Sequence, residues 1–495
     1  MKMVKSLLLG SAAGMVAIAG AQAADLPVKA KPVQYVKICT LYGDGFYYIP
    51  GSDTCIRFSG YIRADYGYNV NGARTPNYTG ANGAQDRTVS NYSTRHRGSF
   101  SVDTRTQTAY GTLRTFSTFH MQNENTTEST NLSRGFIQWG GFTFGRTVSF
   151  TDHEGSLGDS GMRSLFQTQN QSDTGANGTN QIAYTWQLGN GVTLNVGADE
   201  RRVKSLANLS GGAAGLTAAA LTQGVDPTSF RAGSNHPNPW VSLRINQAWG
   251  RASVAVIANH NEGTYYSNTG GACTGGQTGT TLCGHPDDKW GWAVISGTEI
   301  KLDMLSPGSR IGGYFNYGVG ASAYGGGSNL TSPGLYGSGN QIAFGAITDG
   351  VYVNGSSIQQ TTAWTVGGGF EYFWTRNFSS TIYGSYTELT YNDTVTTNRW
   401  FCNGGGAVGS GVYNGTTCDP SFKYWTVGTH HDWFPLPGLR FAVDVMYTGI
   451  ESAMSGQTVA LGTKVGARPT GVYTVKDLGI VAAIFRAQRT WGAGD

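Results

Sequence analysis

The chain has 495 residues, with 34 Lys and Arg against 30 Asp and Glu, a formal net charge of +4, and 13% charged residues. So even a balance leaves no electrostatic footprint for nucleic acid, and 12% aromatic residues are too many for a disordered chain. Glycine is the outlier at 74 residues, about twice the average usage of ~7%, with no G-x-y period to suggest collagen.

In chain order, the first 23 residues form a separate object. Lys2 and Lys5 precede an apolar run from Leu7 to Ala19, and Ala21-Gln22-Ala23 supplies a small-x-small cleavage site. This pattern predicts a secretory signal peptide, its apolar part too short to span a bilayer. Cleavage before Ala24 removes two lysines and lowers the net charge from +4 to +2. Six cysteines fall in three close pairs, Cys39 and Cys55, Cys273 and Cys283, Cys402 and Cys418. In an oxidising compartment such pairs read as disulfides closing small loops, although six cysteines allow fifteen connectivities. None has C-x-x-C spacing, which argues against zinc.

Helical periodicity is confined to Leu206–Leu221, Ala- and Gly-rich and poorly amphipathic. Elsewhere the period is two. Sixteen strands are predicted: 55–68, 95–105, 111–121, 133–139, 142–148, 181–188, 192–200, 240–247, 251–259, 290–302, 310–319, 361–374, 378–391, 422–432, 438–449 and 475–491. Short connections (106–110, 140–141, 189–191, 248–250, 303–309, 375–377 and 433–437) alternate with long ones (69–94, 122–132, 149–180, 201–239, 260–289, 320–360, 392–421 and 450–474). Tight turns on one rim and long loops on the other are the asymmetry of an outer-membrane barrel. The longest later apolar run, Gly479 to Phe485, has strand length, and a closed barrel satisfies its backbone in lipid without any apolar helix. Trp139, Trp186, Trp290, Trp292, Trp374 and Trp491 lie near strand ends, as aromatic girdles require. A secreted sandwich or propeller is the soluble alternative, with apolar side chains inside and turns of similar length on both sides. The expected fold is therefore all-β, a transmembrane antiparallel up-and-down barrel over 55–491, preceded by a periplasmic or lumenal segment 24–54 and followed by a tail 492–495.

Alternation assigns faces. Ile56, Phe58 and Ile62 share one parity, and Arg57, Arg63 and Asp65 the other. Arg95, Arg97, Asp103 and Arg105 oppose Phe100 and Val102, while Arg114 opposes Leu113 and Phe119. Arginine on the lipid side near midplane costs roughly 2–4 kcal/mol, so six arginines on three adjacent strands must face the lumen. The third long loop, 149–180, carries Asp152, Glu154, Asp159 and Asp173 with only Arg163 opposing in its first part. Folded inward, it sets acids against this basic wall, and a transverse field across a wet constriction selects solutes by size, charge and dipole. Left outside, it is a solvated surface loop.

Other motifs carry less. Gly158-Asp159-Ser160-Gly161 matches a serine-protease nucleophile segment, but no recognisable histidine segment precedes it, and catalysis needs every partner. His430-His431-Asp432 suggests a metal, yet adjacent strand residues point to opposite faces. No Walker lysine segment, H-E-x-x-H, or G-x-G-x-x-G at a strand–helix junction occurs. The reading is of a non-enzymatic channel with no cofactor and no metal.

The start Ala24-Asp25-Leu26-Pro27-Val28-Lys29, the stretch Tyr35-Val36-Lys37-Ile38-Cys39 and the block from Gly45 to Cys55 resemble the general porins of alphaproteobacterial outer membranes. So do Phe136 to Arg146 (FIQWGGFTFGR) and the closing Ile484-Phe485-Arg486-Ala487-Gln488-Arg489. The resemblance implies a sixteen-stranded barrel in outer-membrane lipid, usually a homotrimer. Its third loop folds into the pore, and small hydrophilic solutes and ions pass by diffusion. A solute-specific channel for sugars or anions is the nearer alternative, and a surface-binding or catalytic secreted β protein the more distant one. One departure stands out: such barrels usually end on an aromatic, whereas Trp491 is followed by Gly492-Ala493-Gly494-Asp495. Deletion of 492–495 is expected to leave heat-modifiable trimers undiminished.

Overall fold

The structure, a computed structural model, describes residues 37–492 except 73, 154–163, 167–173, 175–177, 211–223, 225, 267–283, 328–329, 404–412, 415–417 and 463. Sixteen antiparallel strands follow one another around a ring. They are β1 Thr54–Tyr68, β2 Tyr92–Thr108, β3 Gly111–Glu124, β4 Thr127–Trp139, β5 Phe142–Thr147, β6 Thr179–Gly189, β7 Val192–Asp199 and β8 Asn238–Gln247. The second half comprises β9 Gly250–Asn261, β10 Lys289–Lys301, β11 Arg310–Val319, β12 Thr362–Thr375, β13 Phe378–Thr390, β14 Phe422–Leu436, β15 Leu439–Glu451 and β16 Leu478–Trp491. The ring closes where β1 pairs with β16, from Gly60 opposite Trp491 to Tyr68 opposite Ala483. Closure leaves the barrel sheet without an unpaired edge.

The two faces are inverted relative to a soluble protein. Phe58, Ile62, Phe100, Val256, Phe315, Ile382, Val443 and Phe485 are exposed on the outer wall, while Arg63, Asp65, Arg95, Asp103, Glu371 and Asp444 are buried within. An apolar skin around a charged interior is what a lipid solvent selects. The β4–β5 hairpin turns at Gly140 and Gly141, whose φ values of 57° and 91° favour residues without a Cβ and match the twist of a two-residue hairpin. Trp139, Trp186, Trp374, Trp433 and Trp491 stand exposed toward this short-turn rim, and Trp290 and Trp292 toward the other.

One long connection expected from the sequence does not exist. Residues 122–132 are strand, with Glu124 opposite Thr127 and a tight turn at Asn125. Beyond the bilayer both faces of a strand meet water, so the run Gln122-Asn-Glu-Asn-Thr-Thr-Glu-Ser-Thr-Asn131 loses alternation without losing its pairing. The Asn125 side chain accepts the Thr94 N–H at 2.9 Å and its own N–H donates back to Thr94, tying this hairpin to β2.

The remaining long loops do not stand free. They build a dome with its own sheets. One links Gly334–Tyr336, Gln341–Phe344, Gly471–Val475, Thr458–Leu461 and Tyr413–Asn414, and the other links Gln359–Gln360, Thr348–Tyr352 and Ser205–Asn208. Leu335, Phe344, Ile347 and Val459 from these loops pack with Tyr424 and Ile450 of the inner wall in the largest apolar cluster. The hydrophobic core of this protein therefore sits inside the long-loop end of the barrel. Disulfides join Cys39 to Cys55 and Cys402 to Cys418. Cys273 and Cys283 lie outside the described residues.

Candidate functional site

Four charged zones line the lumen. In the first, near the short-turn rim, Asp103 on β2 is shared by Arg57, Arg105 and Arg114 at 3.5, 2.9 and 3.1 Å. The carboxylate is buried, whereas the three guanidinium-bearing side chains keep 26%, 25% and 28% exposure, so they still face water. Aromatic rings hold them flat. Phe46 lies beneath Arg57 and Arg105 at 4.7 and 4.8 Å, and Arg114 lies over Phe116 and Phe136 at 5.2 and 5.3 Å. Phe46 is brought there by the segment before β1, in which Tyr47 and Tyr48 pair with Ile56 and Cys55 and Cys39 is bonded to Cys55.

The second zone lies farther along the same strands. Asp65 accepts from Arg95 at 2.6 Å and from Arg486 of β16 at 2.6 Å, with Arg63 at 4.0 Å. Arg63 also donates to the Tyr61 hydroxyl at 2.9 Å, and Arg97 donates through Nε to Gln122 at 2.8 Å. The six arginines predicted for the lumen are thus on one continuous wall, and Arg486 joins them. Seven arginines against two aspartates leave this wall with a net excess of five positive charges.

A third zone runs from β9 to β15 and is richer in carboxylates. Arg310 pairs with Glu299 at 3.2 Å and Glu371 at 2.8 Å, and Arg251 with Glu299 at 3.1 Å. Arg440 pairs with Asp432, and His430 lies between Asp432 at 3.0 Å and Asp444 at 3.4 Å. Three arginines here meet four carboxylates. Parity was the available signal for Glu299, Glu371 and Asp444, since each falls on the lumen parity of its strand. His430 is fully buried and His431 exposed, as opposite faces require.

The fourth zone belongs to the loop after β5. Its base is held on its own side of the barrel, where Arg244 of β8 donates to the carbonyls of Ser149, Phe150 and Asp152 at 3.2, 3.3 and 2.9 Å. Asp152 is partnered by Arg202 at 3.4 Å and accepts from the Thr174 backbone N–H at 2.8 Å and hydroxyl at 2.6 Å. It is not brought to any of the six wall arginines, because this anchoring turns it toward β7 and β8. Next to it His153 stacks on Tyr314 at 4.8 Å, and burial, aided by the charge of Arg202, pushes its imidazole down to about 3. Farther along, Ser164 and the Leu165 N–H both donate to Asp444 of β15, at 3.1 and 2.6 Å. Arg74 of the first loop donates to the Leu165 carbonyl at 2.9 Å, and Leu165 and Phe166 are buried among Tyr314, Tyr383, Met446 and Ile484. Glu154, Asp159 and Asp173, with the Gly158-Asp159-Ser160-Gly161 segment, lie outside the described residues. Toward the short-turn rim a cavity of about 460 Å³ opens among Gln138, Thr143, Phe150, Asn195 and Arg244.

A closed sixteen-stranded barrel with an apolar skin and an ion-paired interior defines an outer-membrane β-barrel. Residues 25–482 match the model of the porin subfamily, and the chain belongs to that family, located in the outer membrane. Among relatives, the porin Omp2b of Brucella canis is 35% identical over 212 residues, covering 40% of this chain and 54% of that protein. Omp2b of Brucella abortus matches with the same identity and coverage. The matched stretch therefore spans about half the length of these relatives. The outer-membrane channel DcaP of Acinetobacter baumannii shares the fold, with a TM-score of 0.55 at 15% identity over 90% of this chain and 99% of that one.

Proposed function

We propose that this porin is a water-filled channel through which small hydrophilic solutes diffuse passively, with anions favoured over cations. The observation that carries this reading is the trio Arg57, Arg105 and Arg114, which share a single carboxylate yet remain partly open to water. In a narrow lumen with low-dielectric walls, an excess of fixed positive charge raises the local anion concentration. Glu299 of β10 and Glu371 of β12 supply the acidic side of a transverse field, to which Glu154, Asp159 and Asp173 of loop 149–180 add.

In this reading loop 149–180 is the constriction, tethered at its base by Arg244 and at Ser164–Leu165 by Asp444. Residues 24–54 form a lumenal segment at the periplasmic mouth, residues 1–23 are removed on export, and three copies assemble in outer-membrane lipid. Liposomes carrying the purified protein test the diffusion claim: swelling rates with neutral sugars should fall smoothly with solute size. Saturation by one sugar would instead indicate a solute-specific channel, and absence of swelling contradicts a channel of either kind.

A further inference from the structure

His236, His260 and Glu262 form a cluster that channel function does not use. Each offers one ligand atom, and these atoms lie within 4.8 Å of one another. Glu262 Oε1 is the centre, 2.5 Å from His260 Nδ1 and 3.4 Å from His236 Nδ1. Both imidazoles thus turn Nδ1 toward the same carboxylate oxygen, and His236 Nδ1 is within hydrogen-bond reach of it. Ligands about 2.0–2.1 Å from a tetrahedral ion stand roughly 3.3 Å apart, inside the range these atoms span.

The surroundings hold the three side chains in place. His236 precedes Pro237, which confines it to extended backbone. Its segment is fastened to that of Glu262 by the Ala232 N–H on the Glu262 carbonyl at 2.9 Å and the Thr264 N–H on the Phe230 carbonyl at 2.8 Å. Asn235 donates to Glu262 Oε2 at 2.9 Å, leaving Oε1 for the imidazoles, the outer-shell arrangement that orients a metal-bound carboxylate. The Trp290 ring packs 4.4 Å from the His260 ring and 5.9 Å from that of His236. Glu262 and His260 are nearly enclosed, whereas the His236 side chain is 53% exposed, which gives an entry path and an open coordination position.

We infer that His236, His260 and Glu262 bind a divalent transition ion, with zinc as the type ion, at the long-loop rim of the outer barrel wall. Two imidazoles and one carboxylate suit zinc rather than calcium or magnesium, which prefer all-oxygen shells. The bound ion ties the loop before β8 to the end of β9. Titration calorimetry on the untagged full chain in detergent, stripped with chelator and titrated with zinc chloride alone, tests the inference. One zinc per chain is expected. Loss of an outer-shell partner typically weakens a site by about 10–100-fold, and His236→Ala or Glu262→Gln should weaken it at least as much. His285→Ala should leave binding intact, and unchanged heat-modifiable migration of every variant shows that the barrel has folded. No zinc heat in the wild type, or equal binding by the wild type and both ligand variants, would overturn the assignment.

Discussion

The backbone N–H of Leu165 donates to the Asp444 carboxylate at 2.6 Å across 279 positions of sequence. The loop that leaves β5 is thereby fixed to a strand six places away around the ring. The same carboxylate accepts from Ser164 at 3.1 Å and from the Tyr383 hydroxyl at 2.7 Å. Hydrogen bonds to a charged acceptor contribute about 1.5–3 kcal/mol each. Asp444→Asn should therefore release the loop often enough to raise open-channel current noise in bilayers at least about tenfold, since 1.4 kcal/mol is a factor of ten. Recordings as quiet as wild type would show that this tether does not hold the loop.

Acid should act on the neighbouring His153. Its pKa in the folded chain, about 3, lies below the ordinary 6.5, so the unpacked state binds the proton more tightly between these values. The stabilising contribution of neutral His153 is fully present above pH 6.5 and declines as pH falls toward 3. Gating noise should rise over this window, and His153→Phe, which keeps a ring against Tyr314, should flatten the profile. A profile unchanged by this variant would assign the acid response to another group.

The Cys39–Cys55 bond closes a 16-residue separation, for which chain entropy contributes roughly 3 kcal/mol. Replacing both cysteines by serine should free residues 37–53, withdraw Phe46 from Arg57 and Arg105, and raise conductance. Limited proteolysis should then cut this segment while leaving the barrel intact. Full resistance to cleavage would mean that the pairing of Tyr47 and Tyr48 with β1 suffices.

Phe344 is 1% exposed in the dome, and a buried Phe→Ala change costs about 3–5 kcal/mol. Phe344→Ala should loosen the long-loop end, seen as new protease sites in 320–361 and 452–477, without altering the heat-modifiable mobility of the barrel. Loss of that mobility would show that the dome and the barrel form one cooperative unit.

The barrel was legible because lipid imposes a strict period of two wherever the wall is in the bilayer. β5, expected at 142–148 and found at Phe142–Thr147, differs by one residue. The pattern fades where water lies on both faces, which is why Gln122–Asn131 read as loop. The lumen arginines were legible for the same reason, since Arg57 and Arg63 cannot share a face with Phe58 and Ile62. Their partners were not. Arg486 meets Asp65 across 421 positions, and only ring closure brings the two strands together. The dome was equally hidden, because Phe344 meets Ser452 and Tyr424 through irregular segments whose spacing carries no period. His236 and His260 stand 24 residues apart and converge only through a loop crossing, whereas the adjacent pair His430-His431 drew attention and diverges.

The central claim is that the uncompensated arginines set the selectivity of the channel. The most direct test is the reversal potential of single channels in a potassium chloride gradient, comparing wild type with Arg57→Gln/Arg105→Gln/Arg114→Gln. The account predicts anion preference in the wild type and a clear shift toward cations in the triple variant, whose lumen retains Asp103 without these three partners. A cation-selective wild type, or equal reversal potentials for the two proteins, would contradict it.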